Sequence, residues 1–459
     1  MVFASFIFLF WFLPVFLPVY FAMPVRWRNV TLTVASVVFY GWWRPHYVLL
    51  MLASIGIDWF AALRMGECGS GKPRKFWIWF SVVTNLGLLG WFKYANLFVE
   101  SWNHVAPWPV EWEQILLPVG ISFFTFQSMS YTIDVYRGDV KPQRSFLDLL
   151  CFVSMFPQLV AGPIVRYADV QREITDRRVN FKEATDGLFL LVLGFAKKVL
   201  IADSVGPLVD HVYAQDAPGF VASWLAAFGY SIQIYFDFSG YSDIAIGLGL
   251  MLGFHFPPNF RSPYRAHSIT ELWRRWHMSL STWLRDYLYV PLGGNRKGEG
   301  RAQLNVALTM LLGGLWHGAS WTYLLWGGWH GVFLVCERRF GKVSPYGWLP
   351  RPGQIFCTFL IWTLGLVIFR CQTVTELGQM ARGLCGLQGG GGMPSLDQKT
   401  PFAYGGLALG LFIAFALPRS EQLVARFHPL VMLGALLLFL AAVCQLLTGD
   451  FVSFIYYQF

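Results

Sequence analysis

Residues 301–339 read RAQLNVALTMLLGGLWHGASWTYLLWGGWHGVFLVCERR. Two apolar stretches, 304–312 and 319–336, lie between Arg301 at one end and Glu337-Arg338-Arg339 at the other. As a helix, the run from Arg301 to His317 covers about 24 Å, most of the depth of a bilayer's hydrocarbon core. Its charged ends therefore belong on one side of a membrane, and the segment reads as a helical hairpin with His317 deep near its turn. Gly313, Gly314 and Gly318 flank that histidine and admit close approach of a ligand or of another backbone.

The pattern extends through the whole chain of 459 residues. Hydrophobic residues make up 55%, charged residues 13%, and mean hydropathy is +0.47. A soluble domain carries roughly a quarter charged residues, so this surface is not built for water. Continuous apolar runs exclude an alternating β-barrel, and glycine without a period excludes collagen. The expected class is an all-α polytopic helical membrane protein, a single domain over 1–459, with about ten spans plus re-entrant or broken helices. Aromatic residues reach 18% and must serve both interfacial belts and helix packing. The seven cysteines show no metal or disulfide spacing. The run 2–23 lacks a basic leader and a cleavage site, so it reads as a retained span kinked at Pro14 and Pro18.

Basic residues set the orientation. Arg26 and Arg28 follow the first run; Arg64, Lys72, Arg74 and Lys75 follow the third. Two spans separate these clusters, so both face the cytoplasm. The stretch 163–186 and the region 257–301 return there, the latter with Arg261, Arg265, Arg274, Arg275, Arg285, Arg296, Lys297 and Arg301. So does the cluster Glu337–Arg339 with Lys342 and Arg351. The net charge of +9 thus belongs to membrane loops, and no nucleic-acid partner is expected. Both termini are expected outside. For the parity to close, segments 146–162 and 240–256, interrupted by Pro157, Gly162, Gly240, Gly247 and Gly249, are either re-entrant or plain spans with an extra short helix. The Gly389–Gly392 run lies in a flexible outer loop.

Polar residues inside the apolar runs carry the chemistry, because placing them there costs several kcal/mol. His317, next to Trp316, is the first. A neutral imidazole is the natural general base near neutral pH. The second is SITELWRRWHMSLSTWLRDY, 268–287. Ser268 and Glu271 start it as a capping box. On a continuous helix Trp273, Trp276, His277 and Leu280 share one face. Arg274, Arg275 and Arg285 then form a basic collar for lipid headgroups or for a phosphorylated substrate. The third is YFDFSGYSD, 235–243, where Asp237 and Asp243, with Ser239 between them in a supporting role, either orient a histidine, pair with arginine or stabilise a broken helix. His330 is a weaker candidate; His46, His104 and His428 lie near helix ends and read as interfacial. No metal site is expected.

These stretches resemble the membrane-bound O-acyltransferase family, in particular its bacterial alginate O-acetyltransferase branch. The residues are MVFASFIFLFWFLPVFLPVY (1–20), WFKYANLF (91–98), ILLPVGISFFTFQSMSYTIDVYRGD (115–139) and FPQLVAGPIVR (156–166). They continue with YFDFSGYSDIAIGLGLMLGF (235–254), SITELWRRWHMSLSTWLRDYLYVPLGGNR (268–296), MLLGGLWHGASWTYLLWGGWHG (310–331) and FIYYQF (454–459). The resemblance implies a helical bundle around a central tunnel, with His317 as the essential residue and His277 at the family's second polar position. It implies acetyl-CoA as a donor substrate, with no permanently bound cofactor. It implies O-acetylation of a secreted polysaccharide, alginate, cellulose or similar, through periplasmic acetylation proteins. A non-catalytic transporter or scaffold, or an acyltransferase for another envelope acceptor such as teichoic acid, is the competing reading.

The charge pattern makes a test of orientation direct. A protease tag inserted at 72–75 or at 296–297 should resist protease added to intact spheroplasts, and a tag after Phe459 should be cut. Protection of the C-terminal tag would reverse the orientation.

Overall fold

The computed structural model describes all residues except 43, 70, 161, 342–343, 389–393, 426–428, 449–453 and 456–459. Lys342, the run Gly389–Gly392, His428 and most of the terminal FIYYQF lie outside the described residues. Among those described, regular structure is helical throughout, with no strand. The protein is an all-α polytopic membrane protein. Among the described residues, four helices are long and apolar enough to cross a bilayer by length and composition alone: His46–Glu67, Arg351–Arg370, Asp397–Ala416 and Leu430–Thr448. Other long helices, including Lys72–Val105 and Phe220–Leu252, carry Gly, Ser, Asn or Asp along their length and are less apolar, so these four are fewer than the about ten spans the apolar runs suggest.

The contacts group into two compact units: Met1–Leu191 with Ile244–Pro257, and Val192–Asp243 with Pro258–Phe459. The first is held by two kinds of core. One is aromatic: Phe3, Phe8, Phe12, Phe16 and Phe39 gather around Phe156 with ring centroids 5.2–6.5 Å away. The backbone widens into a π-helical turn at Phe8–Phe12 just ahead of Pro14. The other core is polar. Asp58, fully buried on His46–Glu67, accepts from Ser81 at 2.6 Å, from Asn85 at 2.8 and 2.9 Å, and from Ser128. These donors come from Lys72–Val105 and Ile121–Arg137, so one desolvated carboxylate ties three helices together.

The two interrupted segments resolve differently. Segment 146–162 is broken at Met155, between Phe146–Ser154 and Phe156–Leu159, and the freed Phe156 N–H donates to Ser36 Oγ at 3.0 Å. Irregular backbone there is buried in protein, which is the condition for tolerating it at membrane depth. Segment 240–256 is not re-entrant: most of it belongs to the continuous helix Phe220–Leu252, which stops at Gly253 with φ +84°. Its glycines are contact points. A side chain at Gly240 would lie 2.6 Å from the Gly194 carbonyl, and one at Gly247 would overlap that of Gly187. The glycines let helix Phe181–Ala196 pack closely without breaking its neighbour.

In the second unit the hairpin forms as Glu299–His317 and Trp321–Arg339. The Arg338 guanidinium forks onto Glu299 and clasps its open end. The hairpin's glycines are contact points within the protein. A Cβ on Gly314 would overlap the Tyr323 carbonyl, one on Gly318 would overlap the Tyr323 ring, and one on Gly327 would overlap the Met310 carbonyl.

Gly314→Ala should therefore push the hairpin apart and cost about 1–3 kcal/mol. Gly328→Ala, whose Cβ would meet Leu311 at 3.7 Å, should stay within about 0.5 kcal/mol. Thermal unfolding of the detergent-purified variants reads the difference; equal melting would show that the glycine contact does not set the hairpin.

Candidate active site

The stretch 268–287 does not form one helix. Ile269–Trp273 and Met278–Leu284 are separate, and the break falls on the residues between them. His277 sits at φ +42°, ψ +54°, a left-handed conformation that costs a non-glycine residue of order 1 kcal/mol. Neighbouring backbone holds it there: Arg261 N donates to Arg275 O and Met278 N to Asn259 O, both at 2.9 Å. Trp276, His277 and Leu280 are nevertheless all buried. The turn does what the expected helical face would have done, and additionally aims the imidazole.

The start of this segment is capped twice. Ser268 Oγ accepts from Glu271 N at 3.0 Å, as the sequence indicates. Buried Glu337, at the far end of the hairpin, accepts from Ile269 N and Thr270 N at 2.7 and 2.8 Å. A carboxylate at a helix N-terminus satisfies otherwise orphaned donors. Here it also locks the histidine-bearing turn to the hairpin. Burial opposes the charge of Glu271, but the His267 N–H and the Arg275 guanidinium outweigh it and hold the carboxyl below its ordinary range.

His277 Nδ1 lies 3.1 Å from Asn259 Oδ1. That oxygen also accepts from Ser279 N and Ser279 Oγ, at 3.3 and 2.9 Å, while Asn259 Nδ2 donates to Ser242 Oγ at 3.0 Å. An oxygen can only accept from the ring, so Nδ1 carries the proton. Nε2 is left with a lone pair, buried and without a hydrogen-bond partner among the described residues. In this tautomer His277 accepts a hydrogen bond; it has no proton on Nε2 for an oxyanion.

His317, the last residue of its helix, is buried with its ring centroid 6.5 Å from that of His277. Trp316, Trp326 and Phe369 surround it at 5.0, 5.1 and 5.3 Å. Two imidazoles from motifs 40 residues apart (317 − 277) thus share one aromatic enclosure. His330 is fully buried among Trp273, Trp326 and Trp362, at 5.4, 5.0 and 4.9 Å, and neither ring nitrogen has a partner among the described residues.

The carboxylates go elsewhere. Asp237 pairs with Lys198 Nζ at 2.9 Å, and Lys198 also meets Asp203. Asp243 pairs with Lys197 Nζ at 2.6 Å and accepts from Ser420 Oγ at 2.6 Å. The idea that Asp237 or Asp243 sets an imidazole tautomer is therefore corrected: Asn259 does so for His277. The π-helical turn Lys197–Ala202 begins with the two successive lysines that engage these carboxylates. The Ser239 hydroxyl is buried and unpartnered among the described residues. Of the collar, Arg274 is exposed, Arg275 is held by Glu271, and the exposed Arg285 forks onto Asp286 at 2.7 and 3.0 Å. Among the described residues no group of His, Cys, Asp and Glu is arranged to hold a metal. Asn259 carried no sequence signal, and Glu337 was marked only as the charged end of the hairpin. Lys197-Lys198 did carry one: a charged pair inside the apolar run 188–202.

A multi-pass helical protein with a buried histidine pair in an aromatic enclosure is thus the class that fold and site define. The profile of the membrane-bound O-acyltransferase family matches residues 141–375, and the chain belongs to that family. It is similar to the probable alginate O-acetylase of Pseudomonas putida, 45% identical over 386 residues, which span 83% of this chain and 79% of the relative. The corresponding Pseudomonas aeruginosa protein is 48% identical over 385 residues, 83% of this chain and 74% of its own. The peptidoglycan O-acetyltransferase of Helicobacter pylori is 35% identical over 418 residues, 83% and 79%. The protein is an O-acyltransferase.

The role of Asn259 has a measurable consequence. Asn259→Leu should free the His277 ring and lower turnover roughly 10- to 100-fold. Asn259→Asp, which keeps an oxygen opposite Nδ1, should retain more activity than Asn259→Leu. Equal activity in wild type and Asn259→Leu would remove Asn259 from the site.

Proposed function

We propose that the protein transfers acetyl from cytoplasmic acetyl-CoA to a hydroxyl destined for a secreted polysaccharide, alginate, cellulose or a similar polymer, with periplasmic acetylation proteins completing delivery. The reading places it in a bacterial inner membrane with both termini in the periplasm. The observation that carries it is the pairing of His317 and His277 inside one buried aromatic enclosure, on a chain whose relatives are named for acetylation of alginate and peptidoglycan.

His317 acts as general base. It takes the proton of an acceptor hydroxyl as the oxygen attacks the thioester carbonyl; a C–O bond forms and the C–S bond breaks. The thiolate leaves and takes the proton back from the imidazolium, giving free CoA and an O-acetyl ester. A positioned base contributes roughly 10²–10⁴-fold. His277 offers Nε2 as a fixed hydrogen-bond acceptor that orients the donor or the attacking group. Trp316 walls the enclosure, and the Asp237 and Asp243 ion pairs hold the helix behind it. Among the arginines, exposed Arg274 is best placed for the CoA phosphates. Arg275 and Arg285 already face carboxylates and would have to exchange them.

The test is acetyl transfer by membranes or purified protein with labelled acetyl-CoA. His317→Ala should lose at least two orders of magnitude while the protein still assembles. Incubation without acceptor distinguishes direct transfer from a relay: direct transfer leaves the protein unlabelled, whereas a covalent route leaves label that His317→Ala abolishes. Full activity in His317→Ala would return this histidine to a packing role and overturn the reading.

A further inference from the structure

The stretch 454–459 takes no part in the chemistry above, yet Phe454 and Ile455 are buried, at 2% and 5% exposure. The Ile455 amide donates to Asp237 Oδ2 at 2.8 Å, and the other oxygen of that carboxylate lies 2.9 Å from Lys198 Nζ. Lys198 is itself fixed by Asp203. A buried ion pair thus holds an acceptor ready for one backbone N–H of the chain's far end. This disposes of a carboxylate oxygen that would otherwise be costly to desolvate.

The anchored residue sits beside an aromatic relay. The Phe454 ring packs 4.4 Å from Tyr241, tilted by 30°, and 6.0 Å from Phe238. Phe238 meets the His277 ring edge-on, at 4.7 Å and 86°. One helical turn on from Phe238, Ser242 receives the Asn259 amide that fixes the His277 tautomer. On helix Phe220–Leu252, Asp237 and Tyr241 thus meet the tail, while Phe238 and Ser242 meet the His277 assembly.

We propose that Phe454 is a positioning residue for the acyl-transfer site. Held in place by the Ile455–Asp237 hydrogen bond, it backs Phe238 and thereby keeps the His277 imidazole seated beside His317. The proposal rests on His277 belonging to the acyl-transfer site. A tail that only closes the bundle would make the same contacts without governing His277.

The experiment uses the full-length protein in detergent. Histidine modification by diethyl pyrocarbonate is followed by peptide mass spectrometry, alongside acetyl-transfer kinetics. Phe454→Ala should speed modification of His277 several-fold and leave His330 protected. Asp237→Asn, which weakens the ion pair that holds the Ile455 acceptor, should do the same. Phe454→Ala should also lower kcat with an unchanged KM for acetyl-CoA, and Phe454→Leu should restore most of both. Continued protection of His277 in Phe454→Ala overturns the proposal. So does simultaneous opening of His277 and His330, which marks general loosening, or a parallel change in kcat and KM. If the wild-type protein transfers no acetyl from acetyl-CoA, the proposed function fails, while the contrast between His277 and His330 still decides the role of the tail.

Discussion

A polar group in surroundings without water must find its partner inside the protein, and most of this structure follows from how that demand is met. Asp58 gathers Ser81, Asn85 and Ser128 from two other helices. Asp237 and Asp243 take Lys198 and Lys197. Glu337 takes the N-terminal amides of Ile269 and Thr270. Each is a long-range link, and removing one of its partners would leave a buried polar group uncompensated. The His277 imidazole is satisfied only in part: Asn259 meets one nitrogen, while the other, like both nitrogens of His330, has no hydrogen-bond partner among the described residues.

Close backbone approach is the second device. In lipid, apolar contact alone does not drive helices together, so small residues and main-chain proximity must. Gly314 and Gly327 bring the hairpin's helices together, and Gly240 brings Phe220–Leu252 against the Gly194 carbonyl. Rigid backbone around His317 suits the acid–base role proposed for it.

The two devices meet at the site. The hairpin supplies His317 and, through Glu337, holds the Ile269–Trp273 segment. That segment leads into the strained turn bearing His277, and the Asn259 loop pins the turn from the opposite side. Nothing at the site relies on a single element, which is how a left-handed histidine can be maintained.

Composition and the apolar runs by themselves determined that this is a helical membrane protein, because charge at half the soluble level leaves no other solvent for it. The charged ends of 301–339 determined the hairpin, since helix rise and bilayer thickness leave little choice. The WRRWH and WHG stretches, 273–277 and 316–318, marked both histidines by residue type. Tertiary structure alone decided the rest. The amphipathic pattern at 268–287 fits a continuous helix, and only the pairing of 259–261 with 275–278 breaks it. The carboxylates at 237 and 243 could have served a histidine until Lys197 and Lys198 were brought against them. Asn259, an ordinary loop residue in sequence, became the partner of His277. Hydrogen-bond partners chosen across long separations in the chain leave no periodicity, so no local pattern in the sequence records them.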